Sequence, residues 1–235
     1  MMKLSHESKL RLGVGIGAFV LIIGLVFGIS RTLIHFEGPW DFGTATLDWP
    51  GRDSGNYSAQ PQKLSSETFD ADSFQSLDLD VTSSTVEIKH VSGGPVRVIE
   101  SGRVAKGASA ADAATRNLAE VKGSTLKISQ YDCDDERAIN RTVTIELPRE
   151  VAENMVGITA SVESGDLTFT GIACRDLDVT LGSGDVEFTG AVTDTLSAEV
   201  GLGDVTFDLN QAPAKSMDVT VGSGDAEITV PNSTG

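Results

Sequence analysis

Four Gly-Asp pairs recur at nearly constant spacing in the C-terminal half of the chain, and this repeat constrains the fold more than any other feature. Successive aspartates are separated by 19, 19 and 21 residues. Self-similarity at about 20 residues is typical of solenoids, in which stacked coils share a continuous core that one unit could not bury alone. The pairs are Gly165-Asp166, Gly184-Asp185, Gly203-Asp204 and Gly224-Asp225.

Alignment of the repeats on the aspartate shows that the same positions are apolar in every copy. Apolar residues stand eight, six and four positions before the aspartate and one and three positions after it. Mostly polar residues fill the positions between them, and this alternation predicts strands with one buried face. Each repeat is therefore predicted to be a strand, a Gly-containing turn and a second strand. The predicted core includes Phe169, Phe188, Phe207, Val179, Leu181 and Val200.

Weaker copies of the repeat lie upstream of the four clear ones. Residues 77–88 reproduce the template with Thr85 in the aspartate column, and residues 121–128 match part of it. Further alternating strands are predicted around Val96 and Val143. The sequence therefore predicts an all-β fold, a β-solenoid or β-helix of about six to seven coils.

Residues 109–120 interrupt this rhythm with a run of helix-forming residues. Ser109 and Asp112 have the spacing of a capping box at a helix N-terminus. A short surface helix or turn is therefore predicted between coils.

An uncharged apolar segment near the N-terminus predicts a membrane-spanning helix. Residues 12–29 carry no charge, and as a helix they would extend about 27 Å, close to a hydrocarbon core of about 30 Å. Lys3, Lys9 and Arg11 precede the segment, so the positive-inside rule places the N-terminus in the cytoplasm. A cleaved signal peptide is the alternative, but the segment is long and no small-x-small cleavage pattern follows it.

The predicted organisation has five parts, with the acidic bulk of the chain outside the cytoplasm. Residues 35–66 are rich in Gly, Pro, Ser and Asp without a sustained period, which is typical of a linker. The five parts are a cytoplasmic tail (1–11), a transmembrane helix (12–30), a juxtamembrane linker (31–73), the β-solenoid (74–230) and a C-terminal tail (231–235).

Four glycines on the predicted membrane helix leave its oligomeric state open. They form two small-xxx-small pairs near one helical face, a spacing that allows close packing and a homo-oligomer. Glycine is also common in membrane helices for other reasons. These glycines are Gly13, Gly17, Gly24 and Gly28.

The charge of the chain excludes one class of partner. The chain carries 18 Lys and Arg against 34 Asp and Glu, a formal net charge of −16. Proteins that track phosphate backbones need clustered positive charge, so nucleic-acid binding is excluded. The predicted partners are instead the membrane and an envelope protein or glycan whose identity the sequence does not give.

The two cysteines have two interpretations. Cys133 and Cys174 are 41 residues apart, close to the length of two coils. Export from the cytoplasm would allow a disulfide between them. A small buried thiol at Cys174, near a corner of its repeat, is the other interpretation.

The repeated aspartates also have two interpretations. In a solenoid Asp166, Asp185, Asp204 and Asp225 would stack at the strand spacing of about 4.8 Å and repel one another. Calcium could relieve this repulsion, because it prefers hard oxygen ligands. The repeats lack the nine-residue signature of calcium-binding β-rolls, however, and Asp and Gly are ordinary residues of tight turns. We therefore predict structural turns, with no metal and no other cofactor.

Residues suited to catalysis are scarce in the predicted solenoid. Of the three histidines only His90 lies there, so neither a His-based triad nor a multi-His metal site can be assembled. The carboxylates recur as a surface ladder rather than as an isolated pair in an apolar setting, which argues against glycoside hydrolysis. The chain is predicted not to be an enzyme.

Several motifs together resemble those of a known bacterial family. An N-terminal anchor precedes the opening LDLDVTSSTVEI, the strand TVTIELP and the turns SGDLTF, GSGDVEF, GLGDVTF and GSGDAEI. This combination resembles the bacterial putative adhesin family of domains of unknown function. The resemblance covers residues 74–230, implies a β-solenoid at the cell envelope and brings no catalytic residues with it.

Two functions remain open from the sequence. The first is a membrane-anchored, extracytoplasmic binding module whose polar strand faces dock a protein or glycan. The second, implied by similar proteins encoded beside regulatory systems, is an accessory or sensor protein for envelope stress.

Overall fold

The computed structural model of the chain describes residues 56–231, except 132–135, 212 and 214. The described part is all-β apart from two helices of four residues each. The elements are β1 (Gln62–Phe69), β2 (Ser76–Ser83), β3 (Thr85–Val91), β4 (Val96–Val104), α1 (Ala110–Ala113), β5 (Ala119–Lys122), β6 (Thr125–Gln130), β7 (Ala138–Pro148), α2 (Arg149–Ala152), β8 (Met155–Ser164), β9 (Leu167–Ser183), β10 (Val186–Leu202), β11 (Val205–Leu209), β12 (Ser216–Ser223) and β13 (Ala226–Thr229).

The strands form a solenoid-like stack with two sheet faces. On the first face, β6, β2, β8, the second halves of β9 and β10, and β12 lie side by side in parallel. On the second face, β7, β3, the first halves of β9 and β10, β11 and β13 do the same. Because β9 and β10 continue around a corner, their two halves belong to successive coils. The described residues thus contain six stacked strand pairs.

The register places like residues of successive coils above one another. Phe169 pairs with Phe188, and Phe188 with Phe207. Their ring centroids are 5.5 Å and 5.9 Å apart, within the range of favourable tilted aromatic contacts. All six core residues predicted from the repeat lie in the interior, with at most 1% of their surface exposed. A period-two pattern repeated every 19 residues therefore builds one continuous apolar column per position.

The spatial order of the coils differs from their order along the chain. Chain order implies that the copy at 121–128 lies between the copy at 77–88 and the first Gly-Asp coil. In the structure β2 and β3 lie between that copy and the first Gly-Asp coil. Leu77 consequently pairs with Ile158 on one side and with Leu126 on the other. All five core positions of the β2–β3 pair are apolar, which suits a coil covered on both sides.

Antiparallel strands cover one end of the stack. β4 pairs with β7, β1 with β4, and β5 with β6, all antiparallel. The helix predicted within residues 109–120 is α1, and the Ser109 hydroxyl accepts the Asp112 backbone N–H at 3.1 Å as its N-cap. We call this end, made by β1, β4, β5 and α1, the capped end. A small second core lies here, formed by Leu64, Val104, Ala113 and Ala138.

The linker predicted at residues 31–73 extends too far into the domain. Gln62–Phe69 is strand β1, and Tyr57 forms an isolated bridge with Ala105. Without β1, the outer edge of β4 would present open backbone groups, and β1 supplies their partners. A polar sequence read as linker therefore serves as an edge strand.

The predicted cytoplasmic tail (1–11) and transmembrane helix (12–30) lie outside the described residues. Within the part of the chain that the structure describes, no helix has the length and apolarity needed to cross a membrane. Of the predicted C-terminal tail, only Pro231 is described.

The other end of the stack consists of β12 and β13, and we call it the open end. No described strand pairs with the outer edge of either. Residues here occupy the same columns as the buried residues of the preceding coils but remain partly exposed. The exposed fraction of the residue surface is 38% for both Met217 and Ile228 and 40% for Val230. The core columns therefore continue to the open end, where none of the described strands covers them.

Candidate functional site

The four Gly-Asp pairs lie above one another at the corner where the first face turns into the second. Their glycines have φ between 130° and 135°, a region that residues with a side chain rarely adopt. A Cβ on Gly203 would also collide with the carbonyl oxygen of Gly184 in the preceding coil. Glycine is thus required twice over, by φ and by the close stacking of the corners. The same holds for Gly165, Gly184 and Gly224.

The aspartates of these corners join successive coils by hydrogen bonds. In each step an Oδ1 atom accepts the backbone N–H of the next aspartate, at 3.1, 2.8 and 2.9 Å. A charged acceptor on a backbone donor is a strong, turn-forming interaction. The accepting carboxylates are Asp166, Asp185 and Asp204, and the donors are Asp185, Asp204 and Asp225.

This bonding pattern is the one expected of structural turns, in which a carboxylate accepts a nearby backbone N–H. Among the described residues, no group of three or more His, Cys, Asp or Glu side chains is arranged to hold a metal ion. His90 is exposed and lies beside Gly171, at the corner opposite the Gly-Asp pairs.

We expect Asp185→Ala to lower the free energy of unfolding by about 1–2 kcal/mol, because the backbone N–H of Asp204 loses its charged acceptor. Asp185→Asn keeps an acceptor oxygen and is expected to cost less. Urea unfolding followed by circular dichroism checks both, and chelator should leave the melting temperature of the wild-type chain unchanged. A melting temperature that falls with chelator and recovers with calcium would instead establish the ladder as a calcium site.

On each face, one row of outward residues alternates between carboxylates and hydroxyls in neighbouring coils. On the second face one row runs through β7, β3, β9, β10, β11 and β13 and reads Thr144, Glu87, Thr168, Glu187, Thr206, Glu227. On the first face a row after Lys127 reads Asp78, Thr159, Asp178, Ser197, Asp218.

The alternation has a direct electrostatic consequence. Directly adjacent carboxylates would stand about 4.8 Å apart and repel, whereas carboxylates in every second coil stand about 9.6 Å apart. The hydroxyl residues between them dilute the repulsion and retain hydrogen-bonding capacity. Each face therefore presents one row of evenly spaced negative charges above the continuous core.

Basic side chains are concentrated towards the capped end of these faces. Lys127 Nζ lies 2.6 Å from Asp78 Oδ2, and this hydrogen bond raises the pKa of the lysine. Arg97 pairs with Glu146 at 3.1 Å. Partial burial and then the nearby Asp78 raise the pKa of Asp80. Away from the capped end, Lys215 lies 2.7 Å from Asp194 and Arg175 lies 2.8 Å from Asp176, so the negative charge there is compensated only locally.

A polar cavity of about 520 Å³ lies where the capped end meets the Gly-Asp corners. The described residues of its lining combine hydroxyls, an amide and two guanidinium groups, and none of them is a histidine, a cysteine or a carboxylate. Such a lining can donate hydrogen bonds but supplies no general base. The polar side chains are those of Ser83, Ser84, Thr85, Arg103, Asn140, Arg141 and Ser164.

A buried ionic network lies beside this cavity, and sequence reasoning did not foresee it. Glu100, with no exposed surface, accepts a hydrogen bond from Arg141 Nη1 at 2.8 Å and one from Gln130 Nε2 at 3.1 Å. The Thr115 hydroxyl and backbone N–H add bonds of 2.6 and 2.8 Å. Ser84 at the β2–β3 corner donates to Gln130 at 2.6 Å.

The sequence did carry a signal for this network. Val96, Val98 and Glu100 share one parity of an alternating strand, so the pattern itself points the glutamate inward. Leu126, Ile128 and Gln130 do the same. A polar residue at a core position requires a hydrogen-bonding partner.

The predicted disulfide falls partly outside the described residues. Cys174 is buried, whereas its predicted partner Cys133 is not among the described residues. The disulfide between them stays a prediction. Burial, and then the negative charge of Asp176, raise the pKa of the Cys174 thiol to about 12.

We expect the Cys174 thiol of the folded chain to resist alkylation at pH 8, because the thiolate is the reactive form. In a Cys133→Ser variant, iodoacetamide should label no residue until the chain is unfolded, as counted by mass spectrometry. Rapid labelling of the folded variant at this pH would contradict the buried, protonated thiol.

The chain matches the family model described as Toastrack DUF4097 over residues 74–234. It belongs to the Toastrack family. The match includes all four Gly-Asp coils, and Toastrack is a β-solenoid-like fold, in agreement with the stack described above. The resemblance to putative adhesin domains of unknown function is confirmed.

Among curated proteins, no sequence matches the chain. Solved structures similar to it include a putative cell adhesion protein from Clostridium sporogenes, at 13% identity and a TM-score of 0.41, covering 73% of this chain and 97% of the other. A putative adhesin from Bacteroides fragilis shows 13% identity and a TM-score of 0.27, covering 73% and 98%. A putative lipid binding protein from Parabacteroides distasonis shows 11% identity and a TM-score of 0.27, covering 74% and 98%. Likenesses this distant carry no functional argument.

Proposed function

We propose that this Toastrack chain is a membrane-anchored, extracytoplasmic binding module of adhesin type that performs no catalysis. The observation that carries the proposal is that each of the two faces has a row in which carboxylate and hydroxyl residues alternate from coil to coil. A continuous core holds these rows in place, so a partner meets a preorganised surface and less ordering entropy is lost on binding.

The chemistry of the faces favours a partner that carries positive charge. Evenly spaced carboxylates steer cationic groups by long-range attraction, and neighbouring hydroxyls add short-range hydrogen bonds. An envelope protein with a basic surface and a glycan that bears amino groups both fit this description. The uncharged segment at residues 12–29, preceded by basic residues, supports a single-pass anchor with the domain outside.

A binding role agrees with the chemistry of the polar cavity. Its lining offers hydrogen-bond donors without a general base or a nucleophile paired with one. The described residues contain nothing that favours the envelope-stress sensor.

Matched charge removal on the two faces tests the proposal. One double variant, Glu187→Gln with Asp208→Asn, changes the second face, and another, Asp178→Asn with Glu199→Gln, changes the first face by the same charge. Binding of native envelope fragments to the full chain in lipid nanodiscs is measured across a salt series. We expect one of the two double variants to bind at least about tenfold more weakly than the wild-type chain and to show a weaker dependence of affinity on salt. The melting temperatures of both variants should be unchanged.

Pretreatment of the fragments identifies the kind of partner. Protease should abolish binding if the partner is a protein, and glycan-degrading enzymes should abolish it if the partner is a glycan. Equal binding by the wild-type chain and both double variants, at every salt concentration, would refute the proposed role of the faces.

A further inference from the structure

Within residues 56–231 as described, the open end presents two strand edges without a partner strand and an uncovered end of the core. β12 and β13 have no described strand on their outer edges. Three apolar column positions lie in β12, and three more lie in β13 and the residue after it. All six remain partly exposed. Two strands with apolar residues at alternate positions would pair with both edges and cover the apolar columns at once. The six positions are Met217, Val219, Val221, Ala226, Ile228 and Val230.

We propose that the open end is a self-association surface, on which a second copy of this chain docks its own open end through a twofold axis. A second open end supplies the two strands and the apolar residues that such a cover needs. The opposite end of the stack already carries the antiparallel strands β1, β4 and β5. Association through the open end thus closes as a dimer and does not continue into a filament.

One axis satisfies both strands at once. The middle apolar residues are Val219 in β12 and Ile228 in β13, and an axis through both pairs each strand with its copy in antiparallel orientation. Val219 then faces Val219, and Met217 faces Val221 of the second copy. On β13, Ala226 faces Val230 of the second copy. Apolar residues meet apolar residues throughout the interior of the junction.

The same axis separates the negative charges of the rim. On the outward side, Asp218 faces Thr220 of the second copy, and Glu227 faces Thr229. The corner carboxylate of Asp225 falls at the opposite edge from its copy. No carboxylate is therefore directly opposite another, although two acidic domains still repel at long range.

The area of the open end is sufficient for a specific contact. Strand β12 has eight residues and extends about 26 Å, and two sheets about 10 Å apart with their side chains span about 20 Å. The projected area is about 500 Å² per copy, so the dimer buries at least about 1,000 Å² in total, the level that specific interfaces reach.

Disulfide trapping of the full chain tests the axis directly, in a Cys133→Ser background where Cys174 stays buried. Val219→Cys places two thiols on the axis, where opposite Cα atoms are about 4.5–5.5 Å apart, within the range of about 4.4–6.8 Å for a disulfide. Thr220→Cys is the matched control, because its copy lies on the diagonal at about 7–8 Å. Mild oxidation in detergent should give a covalent dimer with the first variant and little with the second.

Charge insertion measures the strength of the same contact without crosslinking. Met217→Lys with Ile228→Lys should weaken the dimer at least about 100-fold in sedimentation. Thr220→Lys with Thr229→Lys adds the same charge but points outward, where each lysine faces a carboxylate of the second copy, so this variant should not weaken the dimer. Added salt should strengthen the dimer of the wild-type chain, since it screens the repulsion between acidic domains.

Two results would overturn the proposal. One is a wild-type chain that stays monomeric across the micromolar range in added salt. The other is a dimer that Gly17→Leu in the predicted membrane helix abolishes while Met217→Lys with Ile228→Lys leaves it intact. The proposal does not depend on what the two faces bind. If the Met217→Lys, Ile228→Lys chain is monomeric but binds envelope fragments as tightly as the wild-type chain, then self-association and partner binding are separate properties.

Discussion

Phe188→Ala is expected to lower the free energy of unfolding by about 3–5 kcal/mol. The side chain has no exposed surface and lies between Phe169 and Phe207, with ring centroids at 5.5 and 5.9 Å. Truncation removes apolar surface and both ring contacts, and backbones locked in register on either side cannot collapse into the gap. Urea unfolding of the full chain followed by far-ultraviolet circular dichroism measures the loss.

The neighbouring residue provides the matched control for this prediction. Glu187 precedes Phe188 on the same strand but points outward and is exposed, so Glu187→Ala should change stability by less than about 0.5 kcal/mol. Ile228→Ala, in the same column at the open end, should cost less than Phe188→Ala because 38% of that side chain is already exposed. Similar losses for all three variants would show that the column is not a shared core.

The local parts of this fold could be predicted because the sequence encodes them locally. Strand alternation fixes which side chains point inward, and the spacing of the aspartates fixes how the coils superimpose. The repeat alignment assigns Thr85 to the aspartate position, and the structure agrees. Val86, the residue after Thr85, pairs with Leu167, the residue after Asp166. The glycine of each corner is likewise readable, because the stacking geometry tolerates no side chain there.

The global parts could not be predicted because they depend on long-range pairing. The insertion of β2 and β3 between β6–β7 and β8–β9 brings Leu77 beside Ile158, and no local pattern specifies that partner. Strand β1 reads as a linker because its edge position buries few of its side chains. The Glu100 network was missed for a related reason, since its partners Thr115, Gln130 and Arg141 are far apart in sequence.

Glu100→Gln is expected to lower the free energy of unfolding by about 3–5 kcal/mol, because it leaves the Arg141 guanidinium buried without its carboxylate. The side chains of both residues are at most 1% exposed. The amide that replaces the carboxylate also brings a donor towards the donors of Thr115 and Gln130. Glu87→Gln, on the outer face, is the matched control and should change stability by less than about 0.5 kcal/mol.

A double-mutant cycle separates the ion pair from ordinary packing in this network. Arg141→Met alone leaves the Glu100 carboxylate buried without its cation, and we expect a loss similar to that of Glu100→Gln. The double variant leaves neither charge in the interior, so its loss should be smaller than the sum of the single losses by about 2 kcal/mol. Strictly additive losses would mean that the two side chains contribute independently. Losses smaller than the sum would show that the two charges are coupled. Each buried charge at the capped end then needs the other to compensate it.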